Sequence, residues 1–163
     1  MSKLGCIKGV HRSKEYPVAA SQKFNRTGGA FVFLDSSGHV TLALTATATI
    51  FGYAVVPQGI GSGLGTDLAV WQSSATAGAD RIPVIRVTSD AEFLVPSDAA
   101  TTQAMAGNAC DLVGVNDGTQ QVIDVGTSTT DVVLIQGPGT DAGAPTTSFA
   151  IVKINPAKIQ ADT

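Results

Sequence analysis

The chain has 163 residues, a formal net charge of −3 and only 14% charged side chains, which fits a single domain that can bury most of its apolar surface. No stretch approaches the ~20 consecutive apolar residues of a membrane-spanning helix, and no apolar core of a secretory signal follows the N-terminal bases. The acidic balance also argues against a general nucleic-acid binder, which needs a broad basic face.

Charge is distributed unevenly along the chain. Residues 1–26 carry six basic side chains and one acidic side chain, whereas residues 27–163 carry four basic and twelve acidic ones. The first segment follows neither the period of a helix nor that of a strand. We therefore expect residues 1–26 to form an extended, basic N-terminal docking arm, and residues 27–163 to form a single β-rich domain.

The next residues predict strands. The apolar run AFVFL at 30–34 is followed by DSSG at 35–38, a turn whose Gly38 can adopt a positive φ, so a hairpin is expected. In residues 40–50 the even positions are apolar and most odd positions are Thr. This alternation predicts one long strand with Leu42 and Leu44 in the core and the threonines facing outward.

Short strands recur along the rest of the chain. The pattern predicts a glycine-rich loop over residues 57–80 around a strand at 68–72, and a second flexible loop over 137–145. A short helical turn is expected within 97–106, with Ser97 as its N-cap and Gly107 beyond its end. The other predicted strands span residues 84–88, 92–95, 109–115, 120–125, 132–136 and 148–154, with a tight turn at Asn116-Asp117-Gly118. Eight or nine short strands predict an all-β fold, either a β-sandwich or a β-barrel.

The sequence contains no recognisable constellation for catalysis. His11 and His39 have no carboxylate or cysteine at ligand spacing, and Cys6 and Cys110 are expected to be reduced thiols. The alternating glycines of residues 59–65 do not have the spacing of a phosphate-binding loop, and the scattered aspartates do not form a calcium loop. We therefore expect a binding protein without cofactor or metal, and not an enzyme.

The second half of the chain resembles a known family. The segment EFLVPSDAATTQAMAGNACDLVGVNDGTQQVIDVGTSTTDVVLIQG, followed by SFAIVKINPAKIQADT, is similar to the capsid decoration (cement) proteins of tailed bacteriophages. An aromatic-Leu-Val-Pro strand leads there to a short helical turn, a Cys-Asp-Leu-Val strand, a Ser-Thr-Thr turn and a closing strand that ends near Asn-Pro. The resemblance covers roughly residues 80–160. The first eighty residues share only a general style, a basic N-terminal strap followed by Thr/Ala-rich strands.

The resemblance implies a structural virion protein. Such a protein binds the outer surface of an icosahedral head, cements neighbouring major capsid subunits, and resides in the host cytoplasm only during assembly. Its partner would be the major capsid protein, with no direct contact to nucleic acid or membrane. A homo-oligomer is expected, with a trimer favoured and a dimer possible, and the loops 59–65 and 137–143 are expected near subunit junctions or on the outer surface.

A basic arm can lie across an acidic capsid surface, because complementary charge favours docking. The side chains expected to bind the capsid are the apolar Leu4, Ile7, Val10, Tyr16, Val18 and Phe24 and the basic Arg12, Lys14, Lys23 and Arg26. Two alternatives are another minor head or tail component and a surface carbohydrate-binding β-module, with an enzyme third.

Overall fold

A computed structural model describes residues 5–9, 12–26, 28–56, 69–139 and 149–161. These residues form strands and two 3₁₀ turns, Gln103–Met105 and Pro156–Lys158, and contain no α-helix. The strands are β1 Gly5–Lys8, β2 Ser13–Pro17, β3 Lys23–Asn25, β4 Ala30–Leu34, β5 Val40–Leu42, β6 Gly52–Ala54, β7 Val70–Gln72, β8 Arg81–Arg86, β9 Glu92–Pro96, β10 Ala109–Val113, β11 Val122–Asp124, β12 Val133–Pro138 and β13 Phe149–Ile154. The all-β prediction is confirmed, although the described residues contain more strands than expected.

The strands form three antiparallel sheets. Their orders are β1-β9-β13-β12-β10-β11, β2-β8-β6-β4-β5 and β3-β7. Val18, just beyond β2, forms a parallel bridge with Val40 of β5, and the Ala19 N–H donates to the Val40 carbonyl at 2.9 Å. Because β2 and β5 are the two edges of the five-stranded sheet, this contact curls that sheet towards a barrel that closes at one end.

Strand β4 of the five-stranded sheet packs against a hydrophobic core on each of its two faces. Along β4, Phe31 belongs to one hydrophobic cluster, which it shares with the six-stranded sheet, while Val32 and Leu34 belong to a second. The second cluster contains Phe24 and Trp71, from the β3-β7 ribbon. Alternate residues of one strand therefore serve two different cores, which explains why AFVFL is apolar throughout.

The prediction of a separate N-terminal arm is wrong for the described residues. β1 pairs with β9, β2 with β8 and β3 with β7, so the chain before residue 27 contributes a strand to each of the three sheets. The Lys8 ammonium lies 3.0 Å from the Glu92 carboxylate, which joins a base of this segment to an acid of the same subunit. The charge contrast between the two segments therefore reflects, in part, contacts within one domain.

The predicted long strand over residues 40–50 is also wrong. Only Val40–Leu42 is a strand, and Leu44 is 40% exposed. The backbone leaves the ladder because Thr47 Oγ1 accepts a hydrogen bond from the Leu44 N–H at 2.8 Å, and the Thr45 N–H donates to the Gly114 carbonyl. Threonine hydroxyls compete with strand pairing in this way.

Several local predictions agree with the structure. The strand Ala30–Leu34 has the predicted bounds, and the glycines of the two predicted hairpin turns, Gly38 and Gly118, have φ values of 76° and 92°. The helical turn is shorter than expected and begins after Thr102. Ser97 does not cap it, because its hydroxyl donates to the Ala99 carbonyl instead.

The two glycine-rich loops lie largely outside the described residues, so their expected positions at subunit junctions remain predictions. Among the residues that the structure describes, no helix is long and apolar enough to cross a membrane.

Candidate interaction surface

The edge strand β2 combines exposed backbone with exposed charge. Ser13, Lys14 and Glu15 are exposed, whereas Tyr16 is buried in the second core. The strand pairs with β8 on one side only, with Lys14 opposite Val84, Glu15 opposite Pro83 and Tyr16 opposite Ile82. The last strand residue precedes the Val18 bridge to β5, so the open part of the edge is short.

The direction of the outward backbone groups follows from β8. The Pro83 carbonyl accepts a hydrogen bond from Val55, just beyond β6, so the backbone of Pro83 faces away from β2. In an antiparallel ladder the backbone N–H and carbonyl groups of successive residues point to opposite neighbouring strands, so those of Ile82 and Val84 point to β2. Their partners on β2, Tyr16 and Lys14, direct their backbone groups back to β8. The backbone groups of Ser13 and Glu15 therefore point outward.

One of these outward groups already has a partner. The Arg81 guanidinium donates to the Glu15 carbonyl at 3.0 Å. Outside the strand ladders, no backbone–backbone hydrogen bond among the described residues involves Ser13 or Glu15. Within the described ranges of the chain, the Ser13 N–H, the Ser13 carbonyl and the Glu15 N–H are therefore open to another strand.

Basic side chains surround this strand. We call Arg12, Lys14, Arg81 and Arg86 the basic edge. The Lys14 ammonium lies 5.3 Å from the centre of the Tyr16 ring, and the Arg86 guanidinium lies 5.2 Å from the centre of the Phe51 ring. These two rings pack edge to face at 5.1 Å, and each of them carries one cation through a cation–π contact.

Within the part of the chain that the structure describes, the charges of Arg12 and Lys14 are not balanced by an ion pair. The Lys–carboxylate pairs between described residues join Lys8 and Lys153 to Glu92. None of these pairs involves Arg12 or Lys14. Glu15 lies on β2 itself, but alternation places its side chain on the opposite face from Lys14.

Three of the predicted capsid-binding residues are exposed. Arg12 and Lys14 belong to the basic edge, and Ile7 on β1 is 42% exposed. Leu4 and Val10 lie outside the described residues. β1 is itself an edge strand, but it lies in the six-stranded sheet, so Ile7 does not extend the basic edge along β2.

The structure corrects the expectation of capsid binding for three of the other predicted residues, which belong to the core of their own subunit. Tyr16, Val18 and Phe24 are buried at 8%, 1% and 0% exposure. Lys23 and Arg26 are half-buried at the β3-β7 ribbon, where their backbone N–H groups donate to Asn116 and Ala69, and capsid binding by their side chains remains a prediction. Strand alternation explains the error, because within β2 and β3 the apolar side chains turn into the core while their neighbours face outward.

Two residues of the basic edge were missed by sequence reasoning. Arg81 and Arg86 begin and end β8, the strand RIPVIR, about seventy residues away from β2 along the chain. The pairing of β2 with β8 places Arg81 opposite Pro17, with its guanidinium at the Glu15 carbonyl, and brings Arg86 to the end of β8 that lies near Arg12. The sequence shows a basic residue at each end of β8, but it does not show which strand β8 pairs with.

A second, apolar surface lies at the opposite edge of the same sheet. A shallow groove of about 390 Å³ is lined by residues of β4, β5 and the Thr/Ala-rich segment that follows, including Phe33, Leu42 and the exposed Leu44. It contains no charged side chain, so it offers apolar contact without a group that would select a ligand.

Asp111 connects two of the sequence motifs on which the family resemblance rests, the Cys-Asp-Leu-Val strand and the Ser-Thr-Thr turn. This carboxylate on β10 is 5% exposed and accepts hydrogen bonds from the N–H groups of Thr129, Thr130 and Asp131 and from the Thr130 hydroxyl. Burial alone would raise the pKa of Asp111, but these donors lower it below its ordinary value. The Cys-Asp-Leu-Val strand thus fixes the Ser-Thr-Thr turn, a structural role.

Neither thiol has the character of a nucleophile. Both cysteines are free, and burial raises the pKa of Cys110 to about 12, with further contributions from Asp111 and nearby carboxylates. Burial also raises the pKa of Cys6. Reactive cysteines need the opposite shift, because the thiolate is the nucleophile.

Among the described residues, no group of His, Cys, Asp or Glu is arranged to hold a metal ion. Comparisons with protein-family models, curated proteins and solved structures found no match to this chain. The function is therefore inferred from the sequence resemblance and from the described surface.

Proposed function

We propose that this protein is a structural virion protein that binds the outer surface of an icosahedral phage capsid and cements neighbouring major capsid subunits. The sequence of residues 80–160 supports the proposal by its resemblance to decoration proteins. The observation that carries it is the basic edge, where exposed cations and outward backbone groups occur together on a domain that is acidic overall. Such a surface suits docking onto a protein, because it provides both directional hydrogen bonds and complementary charge.

The proposed mechanism is binding without turnover. The major capsid protein is the proposed partner, and repeated copies around the shell would add avidity to individually weak contacts. A homo-oligomer, with a trimer favoured over a dimer, is part of the same proposal. The site of action would be the capsid exterior, after folding in the host cytoplasm.

The carbohydrate-binding alternative has less support. Sugar-binding modules use exposed aromatic rings, but the single Trp and both Tyr residues of the chain are buried. Trp71 and Tyr53 are at most 1% exposed and Tyr16 is 8% exposed. A minor head or tail component remains the nearer alternative, because it would use the same protein-binding surface.

Cosedimentation with phage heads tests the proposal. The purified protein is mixed with empty and DNA-filled heads of a tailed phage that carries this gene, prepared without the protein, and bound copies are counted after centrifugation. We expect saturable binding in a fixed ratio to the major capsid protein, and density on the outer shell in a particle map. Heads that bind no protein, or density found only at the tail, would contradict the proposal.

A further inference from the structure

The open part of β2 has the geometry of an acceptor for one more strand. The outward N–H and carbonyl of Ser13 and the outward N–H of Glu15 lie two residues apart, which is the spacing at which an antiparallel strand forms its hydrogen bonds. The edge is bounded where Val18 closes on Val40, so an incoming strand can pair over only about three to five residues.

The charges beside this edge define what the strand must carry. A residue placed opposite Lys14 would project onto the same face as Lys14, with the two Cβ atoms about 4.5–5.5 Å apart. Alternation puts the exposed Arg12 on that face also. A carboxylate at that position would therefore meet two cations.

The opposite face imposes a different requirement. Glu15 projects there, and it would repel a carboxylate placed directly opposite. Arg81 lies on the same face, but opposite Pro17, and its guanidinium is bound to the Glu15 carbonyl. The segment that fits best therefore alternates acidic with neutral residues. A strand with acids on both faces fits less well, and so does a flat acidic surface without free backbone groups.

We infer that β2 takes up an extended segment of its protein partner by strand addition, and that this segment alternates acidic with neutral side chains so that its carboxylates face Arg12 and Lys14. The assignment of that partner as the major capsid protein rests on the proposed function. The acidic and neutral alternation of the segment does not rest on the proposed function, because it is inferred from the side chains and backbone groups of β2 and its neighbours.

Lysine on an edge strand has a competing role, since charge also prevents edge-to-edge aggregation. Two observations favour docking. Lys14 is held over the Tyr16 ring, and the Arg81 side chain binds one outward carbonyl while leaving the neighbouring N–H groups open. A purely protective charge needs neither arrangement.

Nuclear magnetic resonance titration of the full-length ¹⁵N-labelled protein tests the inference without capsids. The probe is the acetylated and amidated peptide Thr-Glu-Val-Glu-Val-Glu-Thr. Its controls are the same peptide with Lys in place of Glu, and the rearranged peptide Glu-Glu-Glu-Val-Val-Thr-Thr. We expect shifts of the Ser13 and Glu15 amides that saturate with the alternating acidic peptide and are much weaker with both controls.

Variants separate charge from backbone pairing. Lys14→Glu should weaken binding of the acidic peptide by about fivefold, since an attractive cross-strand pair becomes a repulsive one. Lys158→Glu, which makes the same charge change on the C-terminal 3₁₀ turn, should leave it unchanged. Ser13→Pro removes an outward N–H and should abolish binding, whereas Ser13→Ala should not.

The outcomes distinguish this inference from the proposed function. If the acidic peptide shifts no β2 amide, or if Lys14→Glu binds it as well as the wild type, strand addition is overturned. If heads bind wild-type protein and Lys14→Glu equally, the capsid contact lies elsewhere and strand addition to the capsid is overturned, while the cement function stands. Peptide binding at β2 without binding to heads would support strand addition and overturn the cement function.

Discussion

Residues 5–26 and residues 109–138 both form strands, but they find their partners in different ways. β1, β2 and β3 pair with β9, β8 and β7, each of which is more than forty positions away along the chain. β10 pairs with β11 across one short turn, and with β12 shortly after. A segment with no pairing strand nearby in the sequence can therefore still belong to a sheet, because its pairing strand can lie far away along the chain.

Deleting residues 1–26 should have the largest effect. The deletion removes three strands and the buried Tyr16, Val18 and Phe24, so we expect loss of the cooperative thermal transition. Circular dichroism during heating measures this, with Lys14→Gln as a control that should melt near the wild-type temperature. A deleted protein that still unfolded cooperatively would restore the idea of a separable arm.

A single substitution in the same region sharpens the point. Phe24 is fully buried against Trp71, with ring centres 5.7 Å apart, so Phe24→Ala should lower the free energy of unfolding by ~3–5 kcal/mol. Lys14→Ala, on the exposed strand β2, should lower it by less than ~1 kcal/mol. Urea denaturation measures both, and similar losses would mean that the burial of this segment is misassigned.

The stretch between the two regions gives a prediction of intermediate size. Leu42 is 2% exposed and Leu44 is 40% exposed. Leu42→Ala should cost ~2–5 kcal/mol and Leu44→Ala less than ~1 kcal/mol in the same denaturation experiment. Equal costs would support the continuous alternating strand that the sequence pattern predicts.

Asp111 tests the locally paired region. Asp111→Asn replaces an acceptor oxygen with a donor facing backbone N–H groups, and should cost about 1–3 kcal/mol at pH 7. Because the pKa of Asp111 is lowered by folding, its contribution is present above the unfolded pKa of ~3.9 and is lost as the pH falls through the folded value.

The difference between wild type and Asp111→Asn should therefore shrink when urea denaturation is repeated at acidic pH. Glu15→Gln, at an exposed carboxylate of β2, is the control. A difference that stayed constant down to acidic pH would argue that the Asp111 carboxylate is not the stabilising group.

The sequence predicted those parts of the fold that depend on interactions between residues close together in the chain. The Ala30–Leu34 strand, the glycine turns at Gly38 and Gly118, and most strands after residue 80 were found because each depends on nearby residues. Leu44 was misplaced because threonine hydroxyls within the same stretch redirect the backbone. Sequence reasoning identified two residues of the basic edge, Arg12 and Lys14, because they belong to a run of basic residues. It did not identify Arg81 and Arg86, which lie in a different part of the chain.

The all-β class, the turns and the exposure of Arg12 and Lys14 could be predicted from the sequence, since these follow from side-chain chemistry and from spacing over a few residues. Strand pairing in three dimensions placed residues 5–26 in the sheets, turned Tyr16 and Phe24 inward, and put the strand that begins at Arg81 and ends at Arg86 next to β2. Strand pairing across a long chain depends on which edges meet when the cores close, and neither composition nor period encodes that choice.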